Sequence, residues 1–131
     1  MEKRMNKDEV IELIESLGID YEEFWILSTT SLVLRDAYPD AGDLDIAVTK
    51  KGLEQLKKKF NLIQKPNGFY IVTDKIECVE DTKEDWKIEK EGKYLLESLP
   101  KYKMFLEQSN RPKDKGKLEI VLRLMKERGI E

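Results

Sequence analysis

The segment that most constrains the fold is "GDLDIAV", residues 42–48, in which acidic and apolar residues alternate. Successive side chains of a β-strand point to opposite faces, so Asp43 and Asp45 share one face with Ala47, and the intervening apolar residues share the other. The pattern predicts a strand with one buried face and one face that carries two carboxylates. Acids at this spacing are also typical of the exposed face of an edge strand, and the pattern alone leaves both interpretations open.

The amino-acid composition restricts the chemistry open to these acids. The chain of 131 residues has one cysteine and no histidine, which excludes an intramolecular disulfide, a thiol–imidazole zinc site and any Ser-His or Cys-His nucleophile. Catalysis or metal binding must then use carboxylates, lysines or hydroxyls. Carboxylates at i and i+2 of a strand are about 7 Å apart at Cα, which lets them converge on one Mg²⁺ ion or bridge two.

Charge and hydropathy indicate the surroundings of the protein. The net charge is −3, with 24 basic and 27 acidic residues, so a nucleic-acid partner would need a local basic patch. The longest apolar stretches are about five residues, and the first ten residues lack the apolar core of a signal peptide. We therefore expect a cytoplasmic protein with no membrane partner.

Helix and strand signals alternate along the first two thirds of the chain. Asn6 followed by Glu9 predicts the capping box of a first helix. Strands are predicted over residues 24–28, 43–49 and 75–80, helices over 30–38 and 50–60, and a hairpin that turns at 66–68.

From about Tyr94 the pattern predicts helix to the end of the chain. Pro100 and Pro112 each suit the first turn of a new helix, and Gly129 suits the end of the last one. We thus predict a single α+β domain over residues 1–131. A mixed β-sheet flanked by helices would occupy residues 1–91, and helices would occupy 92–131.

Residues 25–48, "WILSTTSLVLRDAYPDAGDLDIAV", resemble the nucleotidyltransferase superfamily, the polymerase-β-like fold, in its small single-domain form. The family pattern is a strand, a Gly-Ser turn, a short helix and a second strand with Asp-x-Asp. The resemblance implies that Asp43 and Asp45 are catalytic ligands of Mg²⁺ or Mn²⁺ and that Glu77 takes the place of the third acid. Glu80 and Asp81 lie close by in sequence, and only strand alternation favours Glu77.

The C-terminal part adds to the resemblance, which covers roughly residues 24–125. Residues 101–124 are similar to a "K…RPKD…D" helical segment that closes many small transferases. The resemblance implies that the following residues contact the nucleotide: Ser28, Thr29, Thr30, Lys103, Arg111 and Lys113. The alternative for "RPKD" is ordinary helix-start chemistry, with proline in the first turn and Asp114 at the positive end of the dipole.

The turn departs from the family pattern, because Ser28, Thr29 and Thr30 stand where the family has Gly, Gly and Ser. Glycine lets the backbone approach phosphate closely, and bulkier residues obstruct that approach. Family members with a damaged glycine motif can keep the fold and lose transfer activity. The turn therefore leaves open whether the chain is an active enzyme.

We expect a metal-dependent transferase that moves an NMP from an NTP to an acceptor hydroxyl on a small molecule, an RNA or a protein. A second hypothesis is a catalytically degenerate nucleotidyltransferase-like protein that binds or regulates a protein partner, as in a toxin–antitoxin-like pair. A third is a structural α+β domain whose acids are surface charge. An RNA acceptor would use a basic patch made of Lys101, Lys103, Arg111, Lys113, Lys115 and Lys117.

Overall fold

The computed structural model describes residues 4–130, so residues 1–3 and 131 of the predicted domain lie outside the described part. Within it the chain forms a seven-stranded mixed sheet with flanking helices, which confirms the predicted α+β class. The helices are α1 Lys7–Glu15, α2 Ser28–Leu34, α3 Lys50–Lys59, α4 Leu99–Gln108 and α5 Pro112–Arg128. The strands are β1 Phe24–Ile26, β2 Leu44–Val48, β3 Ile63–Gln64, β4 Tyr70–Ile71, β5 Ile76–Glu80, β6 Glu89–Glu91 and β7 Tyr94–Leu96.

The strand that carries the acid pattern lies in the centre of the sheet. The strand order is β3-β4-β5-β2-β1-β7-β6, with β2 parallel to β5 and antiparallel to β1. Because β2 has a hydrogen-bonded neighbour on each side, the edge-strand interpretation of this segment is excluded.

The two faces of β2 are covered differently. Leu44 and Ile46 are fully buried in the main core, which α1, α2 and α3 help to form. On the opposite face, Ala47 packs with Trp25 in a smaller cluster, against which Trp86 is packed. Asp45 lies on this second face and is only partly buried. We call the side of β2 and β5 that carries Asp43, Asp45 and Glu77 the acid face.

Local sequence signals define several element ends as predicted. Asn6 Oδ1 accepts a hydrogen bond from the Glu9 amide at 2.9 Å, and Glu9 Oε1 accepts one from the Asn6 amide at 3.1 Å. The turn between β3 and β4 contains Gly68 at φ +93°, a conformation that favours glycine. Pro112 begins α5, and Gly129 ends it at φ +69°. The capping box, the hairpin and the last helix are thus confirmed.

The prediction of helix from Tyr94 onward is wrong for its first residues. Strands β6 and β7 form a hairpin that extends the sheet beyond β1. Gly92 turns the chain at φ +60°, and Leu96 is fully buried. A short apolar run has too little periodicity to separate a strand from a helix. Helical structure therefore begins at Leu99, and the predicted division after residue 91 falls inside the hairpin.

Candidate functional site

Asp45 and Glu77 lie opposite each other on the two central parallel strands. The pairing of β2 with β5 makes Asp45 the Cα partner of Glu77, and Ala47 the partner of Val79. Asp43 precedes Asp45 by two residues and so lies on the same face. The structure therefore brings the three predicted acids together on one side of the sheet.

The Asp45 carboxyl binds its proton more tightly than an ordinary aspartate. Burial raises the pKa of Asp45 from 3.8 to about 6, and the negative charges of Asp43 and Glu77 add to the shift, which the Lys65 ammonium opposes. A bound cation would relieve the repulsion among these acids. Such a perturbed carboxyl in an open part of the fold is typical of a functional site.

Strand pairing separates the three residues considered for the third acid. Glu77 faces Asp45, whereas Glu80 lies on the opposite face of β5. Asp81 follows the strand, and its Oδ2 accepts a hydrogen bond from the Trp86 indole at 2.8 Å. Of these three acids, Glu77 is the one that the fold sets beside the acid pair.

Glu77 is paired with a cation from a neighbouring part of the sheet. Lys65 Nζ lies 3.0 Å from Oε1 and 3.2 Å from Oε2 of Glu77. Both side chains are about one third exposed, at 35% for Lys65 and 34% for Glu77, so the pair is open to exchange with solvent or ligand. No local pattern singled out Lys65, because its contact with Glu77 arises only from the pairing of the hairpin with β5.

The turn after β1 is bonded to the acid-bearing segment through the backbone. The Leu27 amide donates to the Asp45 carbonyl at 2.9 Å, and the Thr30 hydroxyl donates to the Asp43 carbonyl at 2.9 Å. Ser28 begins α2 at φ +56°, a left-handed conformation that favours glycine. The predicted nucleotide-binding turn thus lies beside the acids and has a glycine-like backbone at its first residue.

A buried carboxylate that sequence reasoning did not single out contacts this turn. Glu97 Oε1 accepts a hydrogen bond from the Ser28 amide at 2.5 Å, and Glu97 is 4% exposed. Burial raises the pKa of Glu97 from 4.5 to about 7, against the opposing effects of the Ser28 amide, Arg35 and Lys101. The available sequence signal was an acid placed between a buried strand and a helix cap.

The basic residues of the C-terminal segment that were predicted to contact the nucleotide pair with neighbouring acids or are exposed. Lys103 pairs with Glu107 at 3.3 Å, Arg111 pairs with Asp114 at 2.8 Å, and Lys113 is exposed. The described contacts of these three basic residues include neither the acids nor the turn. The pair formed by Arg111 and Asp114 agrees with the helix-start interpretation of "RPKD".

A different lysine of α5 reaches the turn. Lys117 Nζ donates to the Thr29 hydroxyl at 2.7 Å, and burial lowers the pKa of Lys117 because it disfavours the charged form. Lys117 is a member of the basic patch recognised in the sequence. Only the packing of α5 against α2 decides which lysine of that patch faces the turn.

A cavity of about 390 Å³ opens next to the acid face. Val79, two residues after Glu77 on the same side of β5, and Leu27 line it together with the polar residues Ser28, Glu97 and Lys101. Three aromatic residues, Phe69, Trp86 and Phe105, complete much of its wall. Its volume lies in the range of roughly 300–1,000 Å³ usual for small-molecule sites. A larger depression of about 630 Å³ lies between α1 and the end of α2, and no predicted site residue lines it.

The acid face offers oxygen ligands without forming an all-protein metal cage. Within residues 4–130, no three or more His, Cys, Asp and Glu side chains are grouped so as to hold a metal ion. Mg²⁺ usually takes one or two carboxylates and completes its shell with water and substrate phosphate. Asp43 and Asp45, with the raised pKa of Asp45, fit such a partial shell. Glu77 fits it less well because Lys65 already neutralises its charge.

Comparisons of the chain with known protein families, curated proteins and solved structures give no match. In the described part of the chain, no helix is both long enough and apolar enough to span a membrane. The function is therefore inferred from the chemistry of the site and from the motifs in the sequence.

Proposed function

We propose that this protein is a metal-dependent nucleotidyltransferase that moves a nucleoside monophosphate from an NTP to an acceptor hydroxyl. The observation that carries the proposal is the pairing of Asp45 with Glu77, with Asp43 on the same face and the Ser28 turn bonded to the same segment. Transfer of a phosphoryl group needs neutralised charge and a positioned substrate. The acids can hold a metal ion that neutralises phosphate charge, and the tight turn and the aromatic cavity can position the substrate.

In this proposal, Asp43 and Asp45 hold Mg²⁺ or Mn²⁺, which neutralises phosphate charge when it is bound. The Thr29 hydroxyl and Lys117 supply donors for phosphate oxygens from the turn beside the acid pair. Glu77, oriented by Lys65, accepts a hydrogen bond from the acceptor hydroxyl. The acceptor oxygen then bonds to the α-phosphorus, the bond to pyrophosphate breaks, and the hydroxyl proton passes to a carboxylate of the acid face.

A degenerate, nucleotide-binding or partner-binding protein is the second candidate. The specific observation in its favour is that Glu97 already accepts the hydrogen bond of the Ser28 amide. In an active site of the resembled kind, the backbone of this turn is free to approach phosphate. In this candidate, the carboxylate held there repels phosphate and keeps it from the backbone position that transfer would need.

The proposed acceptor hydroxyl belongs to a small molecule, an RNA or a protein. Lys103, Arg111 and Lys113 stay predicted nucleotide contacts. On nucleotide binding, Lys103 and Arg111 would need to leave their described ion pairs. A cytoplasmic location is part of the proposal, since NTPs are abundant there and the single Cys78 is buried and unbridged.

The test is transfer of label from each of the four α-labelled NTPs with Mg²⁺, using pools of small metabolites, RNA and protein as acceptors. We expect the wild type to label one pool, Asp43→Asn to lose the activity, and the exposed control Glu54→Gln on α3 to keep it. Metal-dependent NTP binding without any transfer would favour the second candidate. A protein that neither binds nor transfers any NTP would contradict both.

A further inference from the structure

We propose that the cavity beside the acid face binds the base of the nucleotide, and that Glu97 selects bases that carry an exocyclic amino group. The ligand class is an adenine, cytosine or guanine nucleotide rather than a uracil nucleotide. This inference rests on the proposed function, because it assigns the base of the ligand of the same cleft.

The aromatic wall supplies attraction that does not depend on the identity of the base. Trp86 is fixed by its indole hydrogen bond to Asp81 at 2.8 Å and by Lys101, whose ammonium lies 5.0 Å from the ring centroid. Phe105 is half exposed on α4, although it is a large apolar residue. Every base has a flat face that can stack on such rings. The aromatic wall therefore accounts for affinity for any base, and the preference among bases must come from another group.

Glu97 supplies the selective contact. Its carboxyl lies at the cavity wall, since Oε1 is bonded to the amide of Ser28, which also lines the cavity. Among the described residues no group donates a hydrogen bond to the second oxygen, Oε2. Because Oε2 lacks a donor in the described part of the chain and Glu97 lines the cavity, this oxygen is open to a ligand that brings a hydrogen-bond donor.

The direction of the hydrogen bond sets the preference among bases. The amino groups of adenine and cytosine donate hydrogen bonds, whereas the corresponding carbonyl of a uracil-type base accepts them. Above the raised pKa of about 7, where Glu97 is ionised, a carbonyl placed against Oε2 would bring two acceptors together. Sites built around a buried hydrogen bond reject ligands that lack the matching group much more strongly than apolar pockets reject a change of size.

Charge fixes the orientation of the ligand. Of the described residues that line the cavity, Glu97 and Asp81 are the acids and Lys101 is the one cation, so the lining as a whole repels phosphate. Lys117, in contrast, contacts the turn at Thr29, on the side of the acid pair. The base therefore enters the cavity while the phosphates extend toward the turn and the acids.

The test uses nucleosides, which lack phosphate and therefore do not need the acid pair. Calorimetry without metal at pH 8, where Glu97 is mostly ionised, would compare adenosine with inosine and cytidine with uridine, pairs in which a carbonyl replaces the amino group at the same ring position. We expect the wild type to bind the amino member of each pair roughly tenfold more tightly or better. In Glu97→Gln the amide oxygen can keep the Ser28 contact while the amide nitrogen takes the place of Oε2, so the preference should disappear or reverse. Glu119→Gln, at an exposed position of α5, is the matched control and should bind as the wild type does.

Three results would each overturn the proposal. They are equal affinities within each nucleoside pair, a preference that Glu97→Gln leaves unchanged, and the absence of nucleoside binding. Should Glu97→Gln not fold, Phe105→Ala replaces it, because this half-exposed side chain is outside the core. Phe105→Ala should weaken the binding of adenosine and the binding of cytidine to a similar extent. Unchanged affinities for both nucleosides would overturn the proposal. Metal-dependent NTP binding without base preference would overturn this inference alone, whereas nucleoside selection without metal-dependent NTP binding would overturn only the transferase proposal.

Discussion

Asp45 on β2 and Glu77 on β5 are direct partners across the central parallel strands of the sheet. Like charges opposite each other in a sheet destabilise it, and here the pKa of Asp45 is raised to about 6 by burial and by its acidic neighbours. Lys65 pairs with Glu77 and only partly offsets the repulsion at Asp45. Repulsion retained in the middle of a sheet is a cost to stability, which is consistent with the proposed cation-binding role of the acid face.

Asp45→Asn should make the folded protein more stable at neutral pH. Because folding raises the pKa of Asp45, the protonated form stabilises the wild type fully below pH 3.8, and this contribution is lost as the pH rises through about 6. Above pH 7 we expect the variant to have the higher free energy of unfolding, by roughly 2 kcal/mol. The difference should vanish near pH 4. Urea unfolding from pH 4 to 8 measures it, and equal stabilities at pH 8 would mean that the acids do not repel as described.

Glu89→Ala should destabilise the fold more than Glu91→Ala. Glu89 accepts a hydrogen bond at 2.8 Å from Arg35, whose side chain is fully buried, so its loss leaves a buried cation without its carboxylate, at a cost of about 3–5 kcal/mol. Glu91 pairs with Arg128 where both are about one third exposed, and such pairs contribute about 0–1 kcal/mol. Thermal unfolding of both variants compares them directly. Similar losses would show that Arg35 does not depend on Glu89.

Ser28→Gly should stabilise the protein by roughly 0.5–1 kcal/mol, because a left-handed backbone costs a residue with a Cβ more than it costs glycine. Ser28 has φ +56°. Thr29→Gly, at the next position of α2, should lower stability by about 1 kcal/mol instead. Opposite signs for the two substitutions, measured by chemical unfolding, are expected. Destabilisation by Ser28→Gly would contradict the strain assigned to this turn.

Lys117→Met should weaken Mg²⁺-dependent NTP binding by roughly tenfold. Lys117 is the lysine of α5 that contacts the turn, through the Thr29 hydroxyl at 2.7 Å. Lys115→Met, at an exposed position of the same helix, is the control and should change the affinity little. Calorimetric titration of both variants decides the matter, and equal effects would mean that the basic patch acts only through its overall charge.

The sequence predicted the parts of the fold and site that depend on local patterns. Alternation placed Asp43 and Asp45 on one side of a strand and favoured Glu77 over Glu80 and Asp81 as the third acid. The spacing of Asn6 and Glu9 predicted a helix start. These signals are short-range, because each depends on residues fewer than five positions apart.

The contacts that depend on tertiary packing were not readable in the sequence. Glu89 lies in a run of charged residues, a composition usual for an exposed surface, yet it neutralises the buried Arg35. Glu97 and Lys117 reach the turn only because β7 pairs with β1 and α5 packs near α2. Such contacts join residues more than fifty positions apart, and no local pattern encodes them.

The most direct measurement is calorimetric binding of the four NTPs, with and without Mg²⁺, to the wild type and to a variant that combines Asp43→Asn with Asp45→Asn. We predict binding to the wild type that requires Mg²⁺ and is lost in the double variant, while the variant stays folded. Binding that ignores Mg²⁺, or that survives the removal of both carboxylates, would contradict the assignment of the acid face as the metal and nucleotide site.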